Sequence, residues 1–160
     1  GMEAQARVIS SWGVNVYVKI PVTSSRGESC CPLVTRLAAS SIKVNVTAVM
    51  AYSQIDAVMA CLGDVPAIVS VFAGRIADTG RNPVGAINHA LSKKRDARHE
   101  VLWASPRQAL DVYTAGSLDC DIITVTPEIL GKLGMEGKNL LEYSRETVQM
   151  FFDDALGFSL

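Results

Sequence analysis

Short runs rich in β-branched residues recur along the chain and predict five β-strands. These runs cover residues 14–22, 44–49, 67–72, 100–105 and 121–126. Each is mostly apolar rather than alternating, which is typical of strands covered on both faces. The segments between them have helical spacing and predict helices over residues 28–40, 53–62, 82–93, 106–115 and 144–156, with a short helical turn over 127–133.

The predicted helices begin at residues that favour helix starts. Ser53 is a candidate N-cap for the second helix, and Asn82 precedes Pro83 in the same way for the third. Strands and helices alternate without a hairpin signal, a low-complexity tract or a linker. This order predicts βαβ units, a parallel sheet and a single α/β domain over residues 1–160.

The closure of the sheet is suggested by its first loop. An open doubly wound sheet often has a glycine-rich phosphate loop after its first strand. The loop here is TSSRGES, which matches neither the dinucleotide nor the nucleoside-triphosphate pattern, so a barrel is favoured. A complete (β/α)8 barrel has eight strands and about 250 residues. Five predicted strands in 160 residues therefore indicate an incomplete TIM-type barrel.

Composition narrows the functional classes. Hydrophobic residues make up 49% and charged residues 19%, which excludes a disordered protein. The net charge of -1 gives no basic stripe for nucleic acid or for a membrane surface, and no apolar run reaches the roughly 18 residues of a membrane span. Four cysteines without a CxxC spacing predict reduced thiols and a cytoplasmic protein, and two histidines are too few for a metal site. Gly1 before Met2 is interpreted as a purification scar.

Lys19 is the sharpest chemical feature, because strand centres rarely tolerate lysine. Period-two alternation places Tyr17, Lys19 and Pro21 on one face of the first strand. A buried lysine in a parallel sheet either pairs with a carboxylate or stays neutral and acts as a nucleophile. Both alternatives stay open on the pattern alone.

Polar residues also stand at alternate positions of the next two strands. Asn45 and Thr47 share one face of the second strand, and Ser70 and Phe72 share one face of the third. Side chains of this kind hydrogen-bond either the hydroxyls of a ligand or each other. A ligand site and a structural pair are equally compatible with the pattern.

Three further candidates follow strand ends, where barrel active sites are built. Arg75 follows the third strand, and Ser105 and Arg107 follow the fourth. Arginine suits phosphate because its planar fork donates hydrogen bonds in pairs. Pro106 predicts the first turn of a helix whose free N–H groups favour an anion, so Arg75 and Ser105 could converge on one phosphate. The vicinal pair Cys30 and Cys31 is interpreted as structural.

Together these segments resemble a known family. The ordered set VYVKIPVT, VNVTAVMAYSQ, AIVSVFAGRIADTG, VLWASPRQAL and DIITVTP resembles the transaldolase and fructose-6-phosphate aldolase family, with a match from about Met2 to Leu160. The ASPR segment and the GFSL tail are similar to its small transaldolase-like branch. The combination is specific, whereas no single motif is.

The resemblance implies a role for each candidate residue. It implies that Lys19 forms a Schiff base with a ketose phosphate and transfers or releases a dihydroxyacetone unit, without a metal or an organic cofactor. Asn45 and Thr47 match the family strand that holds substrate hydroxyls and a catalytic water. The other matches are Ser70 and Phe72 to the S-x-F pattern, Arg75 to the phosphate-binding arginine and Ser105 to the phosphate-binding serine. Arg107 has no general family role to carry over, and its contact with the substrate phosphate is a hypothesis from its position alone. The phenylalanine favours the transferase branch and a place in the pentose phosphate pathway.

The resemblance also implies three more strands before the lysine strand, with an aspartate on the first and a Glu or Gln on the third. Without them the sheet has an open apolar edge, which predicts a homo-oligomer. The alternative function is a catalytically impaired barrel fragment that binds sugar phosphates or only assembles. A nucleotide-binding doubly wound domain is a third hypothesis, disfavoured because the phosphate loop is missing from the sequence.

Overall fold

The computed structural model describes residues 1–157, in which strands and helices alternate along the sheet, with two helices between the third and fourth strands. The strands are β1 Val18–Pro21, β2 Val44–Val49, β3 Ala67–Val71, β4 His99–Trp103 and β5 Ile122–Ile123. The helices are α1 Met2–Ser10, α2 Cys31–Ala39, α3 Tyr52–Cys61, α4 Ala73–Asp78, α5 Val84–Ser92, α6 Ala109–Ser117, α7 Pro127–Lys132 and α8 Leu140–Leu156, with a 3₁₀ turn at Leu133–Met135. The GFSL tail continues past the described residues.

The five strands pair in the order β1-β2-β3-β4-β5, and every pairing is parallel. The predicted α/β class with five parallel strands is therefore confirmed, and the sheet is compatible with part of a TIM-type barrel. The first and last strands are much shorter than predicted. β1 begins at Val18, after a turn over residues 14–15, and β5 is limited to Ile122–Ile123.

The chain divides into two compact units. Gly1–Val125 contains the whole sheet and the helices α1 to α6, whereas the second unit begins at Thr126 and contains α7, the 3₁₀ turn and α8. Thr126 caps α7 by accepting a hydrogen bond from the Ile129 amide at 3.3 Å, and Asn139 caps α8 by accepting from Leu141 and Glu142. These caps place the start of α8 four residues earlier than predicted, at Leu140.

The starts of α3 and α5 correct one prediction and agree with another. Ser53 does not cap α3, because the helix begins at Tyr52 and the Gln54 carboxamide oxygen accepts hydrogen bonds from the amides of Met50 and Ala51 at 2.9 and 3.0 Å. Asn82 does accept a hydrogen bond at the start of α5, from the Val84 amide at 3.0 Å. A side chain that bonds the free amides of a first turn decides where the helix begins.

The two faces of the sheet have different surroundings. One face contributes the buried side chains of alternate strand residues, which pack against helices α2, α3 and α5; they include Val18, Ile20, Val44, Val46, Val69, Val71, Val101 and Trp103. Burial of one such aliphatic side chain contributes roughly 1.5–3 kcal/mol. The stability of this unit therefore comes from one face, and the other face carries the polar residues.

Candidate active site

Lys19 lies on the polar face of β1. Its strand neighbours Val18 and Ile20 are buried in the core, whereas Lys19 itself is exposed. The expectation of a buried lysine is wrong for the described residues, because Lys19 is exposed while its neighbours along the strand are buried. Lys19 also forms no salt bridge with any residue that the structure describes. Within the described residues, Lys19 is therefore not a structural lysine paired with a carboxylate.

The parallel register brings an amide and a hydroxyl to the same face. Lys19 is the register partner of Asn45 on β2. The Ser70 hydroxyl on β3 donates a hydrogen bond to the Asn45 side-chain oxygen at 2.7 Å, and Ser70 is 2% exposed. This bond uses the Asn45 oxygen, and no described residue accepts a hydrogen bond from the Asn45 amide N–H groups. Lys19, Asn45 and Ser70 therefore form a polar row across three strands, in which Ser70 lies two residues beyond Ile68, the register partner of Asn45.

Thr47 is two residues further along β2, in register with Pro21. Its hydroxyl oxygen is buried and has no hydrogen-bond partner among the described residues. Such groups are rare in folded proteins, and each has free capacity for a ligand or a water. The strand is irregular here, because the register shifts between Val46 and Val49 and Ala48 has a φ of 63°. Bulges and strained residues of this kind often re-aim side chains beside functional sites.

Two residues that the motifs did not single out as a pair are linked electrostatically at this surface. Tyr17 precedes β1, and Glu100 lies on β4 as the register partner of Ile68, which in turn pairs with Asn45. Burial, together with the negative charge of Glu100, raises the pKa of the Tyr17 phenol. The alternation of β4 could have placed Glu100 on this face, but only the register reveals its proximity to Tyr17.

Arg75 lies on the short helix α4, which the sequence pattern did not predict. Phe72 joins β3 to this helix and is held by a hydrogen bond from its amide to the Val49 carbonyl at 2.8 Å. The Arg75 guanidinium lies 5.9 Å from the centre of the Phe72 ring, within the range of a cation–π contact. This contact therefore holds the Arg75 guanidinium beside Phe72 at the carboxyl end of β3.

Ser105 is brought to the start of α4 by a close backbone contact. A Cβ built on Gly74 would lie 1.6 Å from the Ser105 carbonyl oxygen, and the Gly74 amide donates to the Ala104 carbonyl at 3.2 Å. Ser105 itself has a φ of 59°, which is uncommon for a residue other than glycine. The structure thus places Ser105 beside the residue that precedes Arg75, and it leaves the shared phosphate contact a prediction.

The predicted helix start at Pro106 is wrong. Helix α6 begins at Ala109, and the Asp111 carboxylate accepts hydrogen bonds from the amides of Arg107 and Gln108 at 2.6 and 3.1 Å. The amides expected to favour an external anion therefore have an internal partner. The Arg107 guanidinium forms a salt bridge with Asp78 on α4. This salt bridge holds the Arg107 guanidinium against α4, and the Asp78 carboxylate balances its charge.

Two other kinds of feature are absent from the described residues. None of their helices is both long and apolar enough to cross a membrane. They contain no group of three or more histidine, cysteine or acidic residues arranged to hold a metal ion. The vicinal cysteines lie where expected, with Cys30 preceding α2 and Cys31 as its first residue. Burial raises the pKa of the Cys30 thiol.

The fold and the face together define a class, an α/β protein whose parallel sheet presents a lysine beside an amide and hydroxyls. The comparisons with known proteins then give the family. The family model described as Transaldolase/Fructose-6-phosphate aldolase matches residues 1–157. The chain belongs to this family, so the predicted resemblance is confirmed.

Curated relatives carry the name probable transaldolase. The protein of Nitrosopumilus maritimus (strain SCM1) is 30% identical over 136 residues, which are 83% of this chain and 58% of the relative. The protein of Dehalococcoides mccartyi is 32% identical over 81% of this chain and 57% of its own length. The protein of Lactiplantibacillus plantarum is 34% identical over 82% and 58%. The chain thus spans a little under three fifths of the relatives that it matches.

Proposed function

We propose that the protein is a Schiff-base transaldolase or aldolase that acts on ketose phosphates, with Lys19 as the nucleophile. The proposal rests on one observation above all. Lys19 is exposed on the polar face of the sheet, in register with Asn45. It has no carboxylate partner among the described residues. An amine in this position is available to a carbonyl carbon, and membership of the family supplies the reaction class.

The proposed reaction begins with attack of the Lys19 amine on the ketose carbonyl carbon. Loss of water gives an imine, which is protonated and accepts electrons. The C4 hydroxyl then loses its proton, the C3–C4 bond breaks, and its electron pair forms an enamine on the lysine. An aldose phosphate leaves. In transfer, the three-carbon enamine attacks the carbonyl carbon of a second aldehyde, whose oxygen takes a proton; in release, the enamine carbon takes a proton instead. In both cases water then hydrolyses the resulting imine and regenerates the Lys19 amine.

The polar row on the sheet face has a proposed part in these steps. The Asn45 amide is held by Ser70, so it can donate to a substrate hydroxyl without being reoriented. The unpartnered Thr47 hydroxyl can bind the water that leaves and returns. Preorganised donors of this kind stabilise charge that develops in the transition state. Asn45 and Thr47 are proposed as catalytic residues and Ser70 as a substrate-binding residue.

The opposite end of the substrate is assigned to the loops after β3 and β4. Phe72 and Arg75 act together through their cation–π contact, and Ser105 lies at the start of the same helix. We assign the substrate phosphate to Arg75 and Ser105. Arg107 enters this site only if its salt bridge with Asp78 opens. We further propose that the protein is a single cytoplasmic domain, that it forms a homo-oligomer and that it acts in the pentose phosphate pathway.

The experiment is borohydride trapping with fructose 6-phosphate, followed by intact-mass spectrometry of the wild type and Lys19→Ala. We expect a mass gain in the wild type alone, because reduction fixes the imine on the lysine. Lys43→Ala is a matched control, since Lys43 also lies beside the sheet but donates to the Val14 carbonyl at 2.8 Å. A wild type without any adduct would refute the enzyme and favour the alternative function, a fragment that only binds or assembles.

A further inference from the structure

Two of the four free cysteines lie together where α2 packs against α3. Cys31 is the first residue of α2, and Cys61 is the last residue of α3. The Cys61 thiol is hydrogen-bonded to the Cys31 sulfur. Both side chains are partly buried and pack against the hydrophobic core. The pair is therefore on the helix-covered side of the sheet, and Lys19 is on the other.

The packing of the two helices brings these thiols together. Both helices connect strands of a parallel sheet, so they run back across it in the same direction. The Thr35 hydroxyl on α2 donates a hydrogen bond to the Cys61 carbonyl at 3.4 Å, and Cys31 lies one turn before Thr35 on the same face. Because Cα–Cβ bonds tilt toward the N-terminus of a helix, the Cys61 side chain leans toward Cys31.

The surroundings of the pair give its two sulfurs different roles. A helix start favours negative charge, and Cys31 occupies that position in α2. Burial raises the pKa of the Cys61 thiol to about 12, and the hydrogen bond and negative charge of Cys31 act in the same direction. Cys31 is therefore the nucleophile, and Cys61 stays a thiol beside it. A cavity of about 420 Å³, lined by Thr35 and Cys61, offers a small oxidant a way in.

The neighbouring Cys30 does not compete for this role. Its side chain is 5% exposed, and burial raises the pKa of its thiol. A bond between Cys30 and Cys31 is also disfavoured, because consecutive Cα atoms are about 3.8 Å apart and disulfides usually need roughly 4.4–6.8 Å. Cys31 and Cys61 are thus the pair that the fold prepares.

We propose that Cys31 and Cys61 are a thiol redox site, which a peroxide converts reversibly into a disulfide between α2 and α3. The Cys31 thiolate attacks one peroxide oxygen, the O–O bond breaks, and the hydroxide that leaves takes a proton and becomes water. Cys31 is then a sulfenic acid. The Cys61 sulfur loses its proton and attacks the Cys31 sulfur, the S–O bond breaks, and a second water leaves. Two thiols are oxidised to one disulfide, and the peroxide is reduced to water.

The first step prepares the second. Formation of the sulfenic acid removes the negative charge of Cys31, which is one of the causes that raise the pKa of Cys61, while burial remains. A dithiol reductant reverses the reaction, as in the transient disulfides of reducing compartments. The inference is independent of the proposed sugar chemistry, since neither thiol lies on the face of Lys19.

The test is oxidation of the native 160-residue chain with hydrogen peroxide, followed by alkylation of the remaining thiols and intact-mass spectrometry. We expect two of the four thiols to escape alkylation in a chain that is lighter by two hydrogen atoms, and dithiothreitol to restore both. Cys31→Ser and Cys61→Ser should each abolish this product. Cys120→Ser is the matched control and should retain it, because the Cys120 thiol donates to the Val101 carbonyl at 3.4 Å, away from the pair. Cys30→Ser should also retain it.

A second measurement captures the intermediate. In Cys61→Ser the sulfenic acid has no thiol to react with, so dimedone should label Cys31 several-fold more than in the wild type. Four alkylated thiols in the oxidised wild type would overturn the site, as would a disulfide that survives Cys31→Ser or is lost in Cys30→Ser. A disulfide that forms only in urea, or only between two chains on a non-reducing gel, would overturn the pairing within the native fold.

Discussion

At the scale of single residues, the sheet face groups titratable side chains from the first and fourth strands. Burial raises the pKa of the Tyr17 phenol, and the negative charge of Glu100 acts in the same direction. Through the strand register, Glu100 lies in line with Ile68, Asn45 and Lys19. The ionisation of Tyr17 therefore reports on the charges of the face that carries Lys19.

This proximity gives a prediction about the Tyr17 phenol. Glu100→Gln removes a negative charge that opposes ionisation, so the pKa of Tyr17 should fall toward its usual value. The pKa should stay above that value, because burial is the larger cause and remains. Carbon-detected NMR titration of labelled tyrosines measures it directly. Glu142→Gln on α8 is the control, and a Tyr17 titration unaltered by Glu100→Gln would show that the two groups do not interact.

At the scale of elements, the contact between α4 and the loop after β4 controls where Arg75 and Ser105 stand. Only glycine fits at position 74, because any Cβ would overlap the Ser105 carbonyl oxygen. The salt bridge between Arg107 and Asp78 ties the same two elements together on that side. The proposed phosphate end of the site thus depends on backbone packing as well as on the arginine.

Gly74→Ala tests this dependence. We expect the free energy of unfolding to fall by about 1–3 kcal/mol or more, since the loop must move to admit the methyl group. Gly116→Ala is the control, because Gly116 lies in α6 with no atom near a built Cβ, and the change should be neutral or stabilising by roughly 0.5–1 kcal/mol. Urea unfolding measures both variants. Equal free energies of unfolding for Gly74→Ala and Gly116→Ala would mean that the close contact between Gly74 and Ser105 does not affect stability.

The predictability of each element follows from what stabilises it. The five strands were predictable because their apolar runs are local, and the placement of Lys19 on the polar face followed from the period of two. Helix α4 was not predicted because it has only six residues. It is also held by the contact of Gly74 with Ser105, which is distant in sequence. The bond between Asn45 and Ser70 depends on strand register, which a single sequence does not specify.

At the scale of the whole molecule, the sheet of the described residues has two unpaired edges, on β1 and on β5. An unpaired strand edge offers amide and carbonyl groups to another chain. We therefore expect self-association, as the proposed homo-oligomer requires. Sedimentation velocity across a dilution series should give a mass above the 17.1 kDa of one chain at micromolar concentration. A clean monomer throughout that range would contradict the prediction.

The alternation of the strands has a consequence for how this protein can change over time. Buried valines and alanines hold the helices on one side of the sheet, while Lys19, Asn45, Thr47 and Ser70 stand at the intervening positions. Substitutions at these intervening positions do not remove the aliphatic side chains that pack against the helices. Selection can therefore adjust the ligand that the sheet accepts while the folding of the chain stays nearly constant, so new specificities are within reach of few substitutions.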